Sequence, residues 1–252
     1  DCSFVKVKGS VLGGSTLTVK DSSLVFDMPT TAGSIRTEVG SLYKESSNAI
    51  TASTVTFSSI AVTYSGGTAP VKNFFYSGMT INTGGSLILT QFTVNSTAPT
   101  TCAFGFKLEG DMVGTGTVSV TKNNVKCNPT STDGEYSLLN LGGSGGTTTM
   151  TGTSSLQVEL NTFISSGRSY QFQLIYVSYD LQGTSSITIS NNELYNLQPV
   201  SAHANKSHAI RLHTTSGTRG LNGGSLTISS NSLKCHSQAG FPAAATYCLY
   251  NA

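Results

Sequence analysis

The chain has 252 residues, 37% of them hydrophobic, which is enough apolar material for a continuous core. Charged residues make up only 10% and the formal net charge is +2, while Ser (37) plus Thr (35) reach 72 of 252, so the surface is hydroxyl-rich and weakly charged. The basic residues are scattered singly and no apolar run approaches the ~20 residues that span a bilayer, which excludes nucleic acid as a partner and any membrane contact by this segment.

Taken in chain order, one short pattern returns: Gly/Ser/Thr, an aliphatic residue, a polar one, an aliphatic one, a few polar ones and another apolar one. The first copy runs over residues 13–24 and the second over 53–60. A strand at 73–76 precedes the third copy, 84–94, and one at 103–108 precedes the fourth, 116–125. Strands at 136–139, 170–174 and 208–212 precede the copies at 152–163, 183–194 and 223–233. A third short strand closes each copy, for example at 124–127 and 232–235. Within each copy the apolar residues alternate with period two between Gly, Asn and β-branched flanks, the pattern of a short half-buried strand rather than a helix.

The first aliphatic positions (17, 55, 87, 118, 156, 187, 226) are spaced by 38, 32, 31, 38, 31 and 39 residues, so variable loops punctuate a constant core pattern. Three strands in about 35 residues describe one coil. The expected fold is all-β: a right-handed parallel β-helix of about seven rungs with three short strands per rung, residues 1–252 forming a single domain that is a segment of a longer repeat protein. A seven-bladed propeller or a sandwich is the competing arrangement, but a blade needs four strands and roughly 40–45 residues. Both ends read as unfinished coils, which predicts neighbouring repeats or protein subunits as partners.

The alternation in Gly223-Gly224-Ser225-Leu226-Thr227-Ile228, with an Asn at the tight turn between second and third strands (Asn124, Asn192, Asn231), resembles the coil of the pectate-lyase-like β-helix superfamily over essentially the whole chain. The Ser/Thr-rich, low-charge, cysteine-containing version of that unit is similar to the dispersed gene family surface proteins of trypanosomes. The first resemblance implies a solenoid, and the second a secreted or cell-surface location.

The five cysteines, at 2, 102, 127, 235 and 248, contain no CxxC and no zinc-like spacing with His. Cys127 and Cys235 both end a third strand, and Cys102 and Cys248 both open a first strand. That equivalence suggests the bridges Cys102–Cys127 and Cys235–Cys248 and leaves Cys2 for a partner outside this chain. The other reading is five reduced core thiols. Sequons at Asn95 and Asn205 are expected in loops, where a glycan would stand clear of the core.

Members of the superfamily often cleave acidic polysaccharides, but the motifs such sites imply are absent: Asn82-Thr83-Gly84 lacks the final Asp of an Asn-Thr-Asp triplet. Glu109-Gly110-Asp111 and Asp133-Gly134-Glu135 could form a calcium loop, though acids beside Gly are usually solvated turn residues. His203, His208 and His213 read as surface or loop residues, since 208 and 213 have opposite parity on a strand. Tyr170, Phe172, Tyr176 and Tyr179 read as rings stacked between rungs, or as a sugar-stacking set if they point outward. The expected function is therefore a non-enzymatic structural or adhesive module, with no catalytic residue, metal or cofactor. The alternative is a carbohydrate-active enzyme or lectin-like binder using the β-helix groove.

Overall fold

A computed structural model describes residues 2–28, 30, 37–43, 48–66, 73–96, 104–127, 135–143, 148–166, 171–197, 207–213, 221–235 and 246–251. Among them there is no helix, and every ladder between named strands is parallel. The fold is a parallel β-solenoid.

Each turn visits three sheets. An eight-stranded sheet runs in chain order from Cys2–Val7 through Thr37–Leu42, Phe75–Ser77, Phe104–Leu108, Glu135–Leu141, Gln171–Val177 and Ser207–Leu212 to Thr246–Asn251. A narrow sheet of two- and three-residue strands follows, from Val11–Leu12 to Leu221–Asn222; the isolated bridges of Met112 to Ile81 and to Met150 join its two halves. The chain then enters a wide sheet. Its first three strands, Thr16–Met28, Thr54–Gly66 and Ser86–Ser96, are continuous, whereas later turns split into pairs such as Thr117–Thr121 with Asn124–Cys127. Later turns thus hold four strand segments, the narrow sheet being the one not expected.

The seven aliphatic positions that define the repeat form one column. Leu17 pairs with Val55, Val55 with Leu87, Leu87 with Val118, and the series continues through Leu156 and Ile187 to Leu226. Period-two alternation causes this: 87 and 89 point inward and are buried, while 86, 88 and 90 are only half-buried. A slip of one residue on any level would turn that strand's apolar set to water, so burial fixes the register. Aromatic side chains fill the core of the second to fourth levels, where Phe57 meets Phe75 edge-on at 5.0 Å and Phe106 meets Phe74 at 4.5 Å and Phe92 at 5.2 Å.

The wide sheet bends at one residue per turn. Asp21, Ser59, Gln91, Lys122, Leu160, Asn191 and Ser230 all have φ between 52° and 58°, and they occupy one column. The residue after the bend points inward, and from the fourth turn on it is asparagine: Asn123, Asn161, Asn192 and Asn231. Each Nδ2 donates to the Oδ1 of the next, at 2.9 Å in all three steps. It also donates to a carbonyl of the preceding turn: Leu89 for Asn123 and Val120 for Asn161. Each Oδ1 accepts the backbone N–H one level down, so the amides replace the ladder bonds that the bend interrupts. The expected Asn124 is corrected to Asn123, because the left-handed residue is Lys122 and Asn124 starts the next strand with its side chain exposed.

A second column, Gly114, Gly152, Gly183 and Gly223, turns the chain from the narrow to the wide sheet with φ of 67–90°. A Cβ on Gly152 would lie 2.7 Å from the Gly114 carbonyl oxygen, so both backbone conformation and rung spacing demand glycine there.

Candidate binding face and the acidic corner

The outward surface of the wide sheet's first half is a lattice of hydroxyls. Reading up the solenoid, one rank is Thr16, Thr54, Ser86, Thr117, Ser155, Ser186 and Ser225. The second, two residues along each strand, is Thr18, Thr56, Ile88, Ser119, Gln157, Thr188 and Thr227. Strand geometry sets the levels ~4.8 Å apart and the ranks ~6.6 Å apart, so six intervals extend over ~29 Å. Twelve of these fourteen positions are Ser or Thr and none is charged or aromatic. A third rank adds Ser58, Thr90, Thr121, Ser190 and Ser229, and it holds the only charges, Lys20 and Glu159. Glu159 accepts a bond from Ser190 Oγ at 2.9 Å.

Hydrogen bonding separates the ranks. In the third, Thr121 Oγ1 donates to Thr90 Oγ1 at 3.1 Å. No side-chain hydrogen bond among the described residues engages the fourteen side chains of the first two ranks. Their donors and acceptors face solvent on a backbone held rigid by ladder bonds above and below.

At the corner between the eight-stranded and narrow sheets the acids are paired within the protein. Lys107 Nζ lies 2.8 Å from Glu109 Oε1. Asp111 Oδ1 accepts from Thr149 N at 2.8 Å, and Asp180 accepts from Asn222 Nδ2 at 2.9 Å and Gln182 Nε2 at 2.7 Å. The bonds from Thr149 and Asn222 tie successive turns together. Tyr179 is buried behind them and donates to the Gly110 carbonyl at 2.8 Å. Burial, then the charges of Asp111 and Glu109, push its phenol pKa well above the usual tyrosine value.

The calcium reading does not survive the register. Leu108 pairs with Leu141, which sets Glu109 level with Gly142, whereas Glu135 begins that same strand seven residues earlier. At strand rise the two acids stand ~23 Å apart, too far to share an ion. Asp133 and Gly134 lie outside the described residues. Among the described residues no group of three His, Cys, Asp or Glu could hold a metal ion.

His208 is fully buried, which corrects its reading as a surface residue: it continues a buried polar column with Gln173 and Ser137 in the eight-stranded sheet. His213 is half-buried with its ring 5.6 Å from that of Tyr176, and His203 lies outside the described residues. Tyr176 is buried, and the Arg211 guanidinium sits 5.6 Å from its ring centre. Tyr170 falls outside the described residues, as does the side chain of Phe172.

Cys127 is buried, and the backbone register runs from it through Ser165 and Asn196 to Cys235, so the two cysteines hold equivalent strand positions. Cys248 lies in the strand Thr246–Asn251 beside Ala209, a column that passes through Gly105 and therefore not through the level of Cys102. Cys102 and the side chains of Cys235 and Cys248 lie outside the described residues. Asn95 is the second-last residue of the strand Ser86–Ser96 and is exposed; it stands on a strand and not in the expected loop. Asn205 lies outside the described residues. Sequence reasoning missed the hydroxyl lattice itself; its signal was the hydroxyl-rich polar partner of every inward aliphatic residue.

Fold and face together define a parallel β-solenoid with a hydroxyl-lined side whose first two ranks are uncharged. Comparison with family models, with curated proteins and with solved structures found no match to this chain.

Proposed function

We propose that this chain is a non-enzymatic structural or adhesive module of a secreted or cell-surface protein: a stiff solenoid that presents strand faces to neighbouring repeats, protein subunits or carbohydrate. The observation that carries the reading is the unbroken in-register column from Leu17 to Leu226, because a stack whose every level is hydrogen-bonded to the next is a rigid spacer with repeating sides. The resemblance to flagellate surface proteins, the paired-cysteine reading and the exposed sequon at Asn95 support an extracellular setting. Beads coated with the purified chain test the adhesive role: they should be retained on extracellular matrix or cell monolayers under flow, and retention no better than that of albumin-coated beads would overturn it.

A carbohydrate-active enzyme is the second reading, favoured by the gathering of Glu109, Asp111 and Asp180 at one corner. Depolymerisation of polygalacturonate or a neutral glycan that disappears in Glu109→Ala would establish it. The first reading expects no turnover.

A further inference from the structure

We infer that the first two outward ranks of the wide sheet bind an uncharged, extended polysaccharide laid along the solenoid axis. This deepens the adhesive reading above and rests on it.

Four properties of the face select that partner. All but Ile88 of these fourteen side chains carry both donors and acceptors, none is charged, and no side-chain hydrogen bond among the described residues uses them, so the complement is a neutral surface equally rich in both. Sugar hydroxyls meet that description. A phosphate backbone requires cationic contacts, and an anionic membrane requires basic or broadly apolar ones; this face has no basic residue and a single apolar one, Ile88. The contacts recur along a straight line at a fixed ~4.8 Å interval, which a partner built from identical units can exploit level after level and a globular protein cannot. The two ranks hold no aromatic ring, and each net hydrogen bond is weak, so a single sugar gains little here. Affinity comes from many units held at once, and a chain already extended in a fibre or wall loses the least freedom on binding. Polymer should bind where monomer does not.

The test is retention of the purified chain on microcrystalline cellulose, chitin and particulate β-glucan, with polygalacturonate as the charged control. The expected result is retention on at least one neutral polymer, unchanged by added salt and not competed by free glucose or N-acetylglucosamine. The variant Thr56→Lys/Thr188→Lys places two charges on the face without touching the core, and it should lower retention at least tenfold. Lys126→Ala, around the bend, should leave retention unchanged, and matching circular dichroism of the three proteins shows the fold is kept. Retention on no neutral polymer, on polygalacturonate alone, or equally by the lysine variant overturns the inference. The coated-bead assay run with the same proteins separates the two claims: beads that adhere equally with both variants sink the glycan face and spare the adhesive reading, whereas beads that never adhere sink the adhesive reading itself.

Discussion

Two adjacent asparagines offer a sharp test of the turn chemistry. Asn123 is buried and its amide makes three hydrogen bonds: it accepts the Phe92 N–H at 2.9 Å and donates to Leu89 O at 3.1 Å and Asn161 Oδ1 at 2.9 Å. Asn123→Ala leaves the Phe92 N–H without an acceptor, a cost of about 1–3 kcal/mol, and removes two further bonds worth about 0.5–1.5 kcal/mol each. The sum is a loss of about 2–6 kcal/mol. Asn124 is exposed at the start of the strand Asn124–Cys127, so Asn124→Ala should fall within about 0.5 kcal/mol of the parent. Urea unfolding followed by circular dichroism reads both as midpoint shifts. Equal effects, or a larger one at Asn124, would refute the assignment of the inward position and with it the register of the bend.

Three further outcomes are expected. Gly152→Ala forces a side chain into a left-handed position against the Gly114 carbonyl and should lower stability by about 1–3 kcal/mol, seen as a reduced Tm. Tyr179 has a folded-state pKa raised above its unfolded value near 10.0, so its contribution is intact below about pH 10 and is lost as pH rises toward the folded value. Tyr179→Phe should be less stable than the parent at neutral pH by about 1 kcal/mol but lose less between pH 9 and 11, as thermal melts at stepped pH would show. A non-reducing peptide map of the chain secreted from eukaryotic cells should contain Cys102–Cys127 and Cys235–Cys248 peptides and a glycan on Asn95; free thiols at all five cysteines would remove the paired-cysteine argument for an extracellular setting.

Much of the architecture was legible because solenoids write their fold as repetition. Every first aliphatic position, from Leu17 to Leu226, entered one column because alternation and a preceding Gly or Ser turn mark the inward residue unambiguously. The narrow sheet was not legible: strands such as Thr80–Ile81 and Thr149–Met150 are too short to alternate. The ladder was misread at the Asn123-Asn124 doublet, where composition cannot say which amide turns inward. Asn161 was missed because Leu160, an exposed apolar residue at φ 57°, occupies the bend where a polar residue is usual. His208 was misplaced for the opposite reason: a buried polar column looks like a surface strand until its neighbours Gln173 and Ser137 are seen stacked beneath it.

The stacking itself is tested most directly by pulsed electron-spin distances between labels on the second outward rank, introduced as noncanonical residues to avoid the native cysteines. Pairs at 56 and 157, 56 and 188, 56 and 227, and 18 and 227 are separated by three, four, five and six levels. Their distances should rise by about 4.8 Å per level, to ~29 Å for the last pair. Distances that level off or fall with increasing separation, as blades closing around a ring would give, would contradict the account.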